Sequence, residues 1–185
     1  AKVHAGDYTE IADAQLLITA AGPLPDISKG QTRMDTLRQT IVIMKEVTES
    51  IRMSGFAGII INISNPADVI THYIQHQLNW PPRRILSTGT TLDSARLCRA
   101  LAEATGVDQK SIHAYALGEH GESQMVAWSA VTLGGKALAQ LQKERPDSYG
   151  MLDLDAIARE GKAGGWKILG GKGSTEFGIA ASIAE

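Results

Sequence analysis

Two short apolar runs constrain the fold of this chain more than any other feature. Gln15–Ala21 (QLLITAA) and Gly58–Ser64 (GIIINIS) are rich in branched residues and do not alternate between apolar and polar. A strand with one wet face alternates. A strand that is apolar throughout is covered on both faces, the habit of parallel sheets flanked by their crossover helices. Between the runs, Leu37, Ile41, Met44, Val47 and Ile51 recur at spacings of three and four. Arg33–Met53 therefore reads as an amphipathic helix of crossover length, and the whole as a βαβ unit.

The pattern continues past the second run. Asn65-Pro66-Ala67-Asp68 offers Asn as an N-cap, Pro at the first helical position and Asp at the third, so a helix is expected from Pro66 to about Leu78. Ile85–Ser87 reads as a short strand, and Leu92–Thr105 as a helix ended by a left-handed Gly106. Beyond Ser111 the order changes. Short strands at His113–Leu117 and Val126–Leu133, a polar stretch Gln142–Gly150 and a helix near Leu154–Glu160 read as a second, α+β region. The expected class is α/β, a partial parallel sheet followed by part of an α+β domain, with a boundary near Ser87–Leu92.

Composition removes several partners. With 18 Lys and Arg against 20 Asp and Glu, a net charge of -2 and a pI near 6.2, the chain has no basic footprint for nucleic acid or an anionic membrane. Its longest apolar run, Gly58–Ile63, is far below the roughly 18 to 20 residues of a membrane span. The lone Cys98 closes no internal disulfide, and with no signal peptide a cytoplasmic setting is expected. The chain opens at Ala1 without Met and ends at Glu185 inside the apolar pattern Phe177, Ile179, Ala180, Ile183. A piece of a longer protein is expected.

Some residues bear on chemistry. Asp93 and Arg96 stand three apart on one predicted helix face, by themselves an ion pair worth a few tenths of a kcal/mol. His120 sits between Gly118 and Gly121 at a strand end, where the backbone can turn sharply and present the ring. Alone, each is ordinary. Together they would differ, because a carboxylate on one ring nitrogen fixes the tautomer and stabilises the imidazolium. His72 and His76 have metal-ligand spacing but lack HExxH, a third ligand or a Cys pair, so no metal site is expected. Asn62-Ile63-Ser64 is a chance glycosylation sequon in a buried strand, Cys98 reads as core, and Gly170-Gly171-Lys172-Gly173 lacks P-loop spacing and reads as a turn.

Longer motifs carry a resemblance. Ser87–Arg96 (STGTTLDSAR) and Leu117–Ser123 (LGEHGES) resemble the L-2-hydroxy acid dehydrogenases of the lactate/malate dehydrogenase superfamily. Thr19-Ala20-Ala21-Gly22, Gly30-Gln31-Thr32-Arg33, Ile63-Ser64-Asn65-Pro66 and Gly171-Lys172-Gly173-Ser174-Thr175 add to it, all in the family's order. The resemblance implies that residues 1–89 are the C-terminal part of a Rossmann-type domain and 90–185 the N-terminal part of a catalytic domain. It implies NAD, lying against Thr19, Ala20, Ala21, Gly22, Ile43, Ile63 and Asn65. His120 would exchange the substrate hydroxyl proton, Asp93 would orient it, and Arg96 would hold the substrate carboxylate in its planar fork. Arg33, carried by the loop Gly22–Gly30, would polarise the carbonyl, with Asn65 and Thr175 beside the substrate. Read locally, Arg33 is equally a surface residue at a helix start, Gly22 a simple turn and Thr175 a small polar residue near a helix start. The implied partner is a small 2-oxo or 2-hydroxy acid, and the implied assembly a homo-oligomer. No G-x-G-x-x-G occurs in the 185 residues, and that unit is expected ahead of Ala1.

The loop before Arg33 bears on substrate choice. Malate enzymes of the family carry an Arg there and lactate enzymes commonly a Gln, whereas Pro23-Leu24-Pro25-Asp26-Ile27-Ser28-Lys29 has neither. Leu24, Asp26 or Ile27 would face the substrate side chain. Malate is disfavoured without the Arg, although Lys29 offers a cation, and Ile27 suits a larger aliphatic acid. Gly121–Ser129 and Gly164-Gly165-Trp166 also resemble the L-2-hydroxyisocaproate dehydrogenase branch. The expected activity is hydride transfer between NAD and an L-2-hydroxy acid, 2-hydroxyisocaproate-like or lactate, with malate as the alternative. A non-catalytic fragment or oligomerisation module is the competing class, and a His72/His76 metal-binding protein a third.

Overall fold

Three parallel strands organise the first of two units, Ala1–Thr88 and Gly89–Glu185, in a computed structural model that describes residues Lys2–Ala184. The chain ends at Ala1 and Glu185 lie outside the described residues. In the first unit β1 (Leu16–Thr19), α1 (Leu37–Ser54), β2 (Ile59–Asn62), α2 (Ala67–Leu78) and β3 (Ile85–Ser87) follow one another, and the sheet order is β1-β2-β3. The register pairs Leu17 with Ile60 and Ile60 with Ile85, so these share a face with Thr19 and Asn62. Met44 and Ile51 of α1 and Ile70, Ile74 and Leu78 of α2 pack there around Ile60 and Ile85.

The opposite face is open. Leu16, Ile18, Ile59 and Leu86 are 42 to 48% exposed, so the helices of this unit cover one face of the sheet. The reason is topological. Right-handed crossovers in a strand order that does not reverse put every crossover helix on one side. The strands are also shorter than the apolar runs, since pairing stops at Thr19 and Asn62.

In the first unit helix boundaries depart from expectation in two places. The expected helix from Arg33 opens with a 3-10 turn, Arg33–Thr36, in which the Asp35 carboxylate accepts from the Thr32 N–H at 2.6 Å and its hydroxyl at 2.8 Å. Asn65 is not the N-cap of α2. The Ile70 N–H donates to the Pro66 carbonyl at 2.9 Å, so Pro66, at φ -66 and ψ 119, is the boundary residue and no side chain caps the helix. The Asn65–Pro66 peptide is cis.

In the second unit α3 (Thr91–Thr105) ends at a left-handed Gly106, φ 69. It is followed by β4 (Ile112–His113), β5 (Ala116–Leu117), β6 (Met125–Val126), β7 (Thr132–Leu133), β8 (Lys136–Ala137), α4 (Leu138–Glu144), α5 (Leu154–Lys172) and α6 (Phe177–Ala184). The expected strand His113–Leu117 is two strands, because β4 joins an antiparallel β4-β7-β8 sheet while β5 pairs with β6. Val126–Leu133 divides likewise between β6 and β7. The polar stretch from Gln142 holds the end of α4 and one π-helical turn, Pro146–Gly150.

The helix expected near Leu154–Glu160 runs to Lys172. Its glycines mislead a reading by propensity. Gly161 is buried, and a Cβ there would lie 3.2 Å from Leu97 Cα and 3.3 Å from Leu97 N, so α5 meets the backbone of α3 directly. Gly170 and Gly171 belong to the last turn, and only Gly173, at φ 82, leaves the helix. Leu97, Leu101, Ile112, Val131, Leu138 and Ile157 form this unit's core. Cys98 packs at its edge, half-buried. Among the described residues no helix is long and apolar enough to cross a membrane.

Candidate active site

The first two turns of α3 carry Asp93 and Arg96, which the sequence placed three apart. Asp93 is 3% exposed and Arg96 13% by side chain, with Arg96 Nη1 3.5 Å from Asp93 Oδ1. This is a buried pair, which removes the surface reading. Burial pulls the Arg96 guanidinium below its ordinary value, and the Asp93 charge pulls it back up. The other carboxylate oxygen meets His120, whose Nδ1 lies 2.5 Å from Asp93 Oδ2. The three residues share one carboxylate.

Two hydroxyls explain how His120 reaches that position. Thr90, just before α3, donates its Oγ1 hydrogen to the Ala116 carbonyl at 2.7 Å. The Ala116 N–H donates to Ser94 Oγ at 3.0 Å. Strand β5 is thus clamped by both backbone groups of one residue onto the first turn of α3, and Gly118, at φ 92, then turns the chain toward His120. Beyond His120, Lys162 of α5 pairs with the Glu122 carboxylate at 2.7 Å and steadies the turn from the other side. Thr90, Ser94 and Lys162 are absent from the sequence-based site. The sequence signal for Thr90 and Ser94 is a pair of hydroxyls at a helix start, which reads as ordinary capping, and Lys162 carries none. Thr175 is exposed in the link between α5 and α6.

In the first unit the expected residues gather at the C-terminal ends of β1 and β2, where open α/β sheets bind ligands. Thr19 Oγ1 donates to Asn62 Oδ1 at 2.9 Å, and the Ile63 N–H to the Thr19 carbonyl at 2.9 Å. These bonds set Thr19–Gly22 beside Ile63–Asn65. Ala20 and Gly22 are exposed, Ala21, Ile63 and Asn65 half-buried, and Ile43 is half-buried on α1. Gly22, at φ 145, is a packing requirement as well as a turn: a Cβ there would lie 3.2 Å from Thr40 Oγ1. Arg33 is half-buried in its 3-10 turn. In the loop before it, Lys29 pairs with Asp26 at 3.1 Å, Asp26 is held below the usual carboxylate range by the Ser28 hydroxyl and Lys29, and Ile27 is 43% exposed.

One atom tests whether a polar ligand fits here. Asn65 Oδ1 is a buried side-chain oxygen without a hydrogen-bond partner among the described residues. Buried polar atoms are almost always paired, so this acceptor is suited to a ligand N–H or O–H such as a carboxamide supplies. Among the described residues no group of three or more His, Cys, Asp or Glu could hold a metal, and His72 and His76 stand exposed on α2.

Comparison with known proteins follows the same division. The family model described as the lactate/malate dehydrogenase NAD binding domain matches residues 1–87, and that of the lactate/malate dehydrogenase alpha/beta C-terminal domain matches 90–185. The chain is 46% identical over 183 residues to L-lactate dehydrogenase 3 of Bacillus cereus, covering 99% of this chain and 57% of that one. It is 37% identical to L-lactate dehydrogenase 1 of Bifidobacterium longum, with the same coverage. Among solved structures, the minor L-lactate dehydrogenase of Enterococcus mundtii in its ligands-bound form superposes with a TM-score of 0.85 at 36% identity, over 96% of this chain and 55% of that one. The lactate dehydrogenase MGS-M5 from a deep-sea metagenome gives 0.86 at 33%, over 96% and 56%. The chain spans a little over half the length of these relatives.

Proposed function

The chain belongs to the lactate/malate dehydrogenase family, and from that premise we propose that the full-length protein is an NAD-dependent L-2-hydroxy acid dehydrogenase. The observation that carries this reading is the buried carboxylate of Asp93 set against both His120 and Arg96. Bound NAD supplies the hydride acceptor, and Thr19–Gly22, Ile43, Ile63 and Asn65 are the residues that would hold it, with Asn65 Oδ1 ready to accept a hydrogen bond.

The chain's own residues do the rest. Asp93 holds Nδ1 of His120, which assigns proton exchange to Nε2. In oxidation His120 takes the substrate hydroxyl proton at Nε2 as the C2 hydride leaves, and the Asp93 charge stabilises the imidazolium that results. In reduction the same proton returns to the carbonyl oxygen. Arg96 binds the substrate carboxylate with paired N–H donors, and its buried position strengthens that contact. Arg33 assists from its own loop by polarising the carbonyl. Thr175 is assigned to the pocket wall.

The relatives' names, each an L-lactate dehydrogenase, favour lactate as the hydroxy acid, with pyruvate as its oxidised partner. A second reading rests on the loop: Ile27 presents an exposed apolar side chain, which suits a longer aliphatic 2-oxo acid such as 2-oxoisocaproate. The Asp26 partner of Lys29 weakens the case for a second substrate carboxylate and so for malate. The test is NADH oxidation by the full-length protein with pyruvate, 2-oxoisocaproate and oxaloacetate. Turnover with pyruvate foremost is expected. Preference for 2-oxoisocaproate selects the second reading, and no turnover with any of the three rejects the enzyme in favour of a non-catalytic module.

A further inference from the structure

Asn62 is fully buried in β2, a place where an apolar residue would be expected. Its amide is saturated. The two N–H groups of Nδ2 are shared among three acceptors, the Ser64 carbonyl at 3.2 Å, the Ala67 carbonyl at 3.1 Å and Thr71 Oγ1 at 3.0 Å, while Oδ1 accepts from Thr19 Oγ1 at 2.9 Å and the Ser64 N–H at 3.1 Å. One side chain thereby joins the end of β1, the turn after β2 and the first turns of α2. Asn65 lies inside the loop that these bonds close, between Ser64 and Ala67. Its own Oδ1 makes no hydrogen bond among the described residues, so nothing on that oxygen holds the side chain in place. Its place therefore depends on packing and on the backbone on either side.

We propose that Asn62 is a positioning residue: it sets the Ile63–Ala67 turn so that Asn65 meets the ligand in a fixed orientation. The inference rests on the dehydrogenase reading, and it deepens that reading by adding a residue that touches neither substrate nor cofactor. Asn is suited to this task because it is neutral and carries both donors and an acceptor in one rigid plane. Val in its place would suit the strand and remove every one of these bonds.

The experiment is a double-mutant cycle on the full-length enzyme, with Asn62→Val, Asn65→Ala and the pair. A misplacement of Asn65 should lower kcat for 2-oxo acid reduction by roughly ten- to a hundredfold. Because Asn62 acts through Asn65, the double variant should then be no worse than Asn65→Ala alone. Multiplying losses, or an unimpaired Asn62→Val enzyme, overturn the proposal. If Asn62→Val does not fold, Thr71→Val removes one acceptor of the hub on α2, and a smaller loss with the same lack of additivity is expected; unchanged turnover overturns it. Backbone hydrogen exchange separates this inference from the reading beneath it. Either Asn62→Val or Thr71→Val should speed exchange of the Ile63, Ser64, Asn65 and Ala67 amides above all others, whatever the activity of the parent. Unchanged exchange there refutes the role of Asn62, whereas a parent protein without hydride transfer refutes the dehydrogenase reading.

Discussion

Nδ1 of His120 lies 2.5 Å from Oδ2 of an Asp93 whose side chain is 3% exposed. The same carboxylate also faces Arg96, so one buried charge holds both the imidazole and the guanidinium. Asp93→Asn keeps the shape and removes the charge. Turnover should fall by roughly two to four orders of magnitude, the usual worth of a positioned acid–base group, while NADH affinity holds. Steady-state kinetics with a fluorescence titration would check this, and an Asn variant with parental kcat would reject the assignment of Asp93.

Arg96 offers a planar fork in a confined position, since a Cβ at Gly164 would lie 3.1 Å from its Cδ. Lys cannot make paired donations to a carboxylate. Arg96→Lys should raise KM for the 2-oxo acid by roughly ten- to a hundredfold, the loss of one charge-assisted bond. Gly164→Ala should show the same effect in milder form. Unaltered KM in Arg96→Lys would remove Arg96 from the substrate site.

Gly161 lies against the backbone of Leu97, four residues from Asp93. Gly161→Ala gains up to about 1 kcal/mol of helix propensity. The added methyl must push α5 off α3, at a cost of about 1 to 3 kcal/mol. A lower Tm together with lower kcat is expected from thermal unfolding and kinetics. A higher Tm would mean that the two helices are less tightly seated than the contact distance implies.

Asp35 is held below the usual carboxylate range by the N–H and hydroxyl of Thr32. A depressed folded-state value means that its stabilisation is present above the unfolded carboxylate value and is lost as pH falls through the folded one. Asp35→Asn should therefore lower the urea midpoint near neutral pH and converge with the parent in acid. A difference that persists unchanged into acid would show that the Thr32 bonds do not depend on the charge.

Burial raises the Cys98 thiol above its ordinary value. Its Sγ also lies 3.7 Å from the Ile112 carbonyl and 3.8 Å from that of Ala114. The thiolate is the reactive form, so labelling by iodoacetamide should be slow in the native protein near neutral pH and fast in urea. Equal rates in both would mean that the edge of this core opens freely.

The residues themselves determined whatever depends on near neighbours. Within the run GIIINIS, Ile59–Asn62 is a strand because branched residues favour an extended chain, and Gly106 ends α3 because it adopts a left-handed backbone at little cost. The motifs around Asp93 and His120 were legible as family signatures before any contact between them was known. Contact across the chain was not. The Asp93–His120 pair spans 27 residues, the Thr90–Ala116 clamp 26 and the Thr19–Asn62 bond 43. The sequence reads Asn62 as buried in a strand, and it is, but its hydrogen-bonded neighbours are supplied by the fold. It reads Asn65 as an N-cap and Gly170–Gly173 as a turn, whereas the backbone of α2 starts from Pro66 and α5 runs on to Lys172. A buried amide takes its meaning from the groups brought around it, and a helical glycine from the backbone it admits; propensity and spacing describe neither.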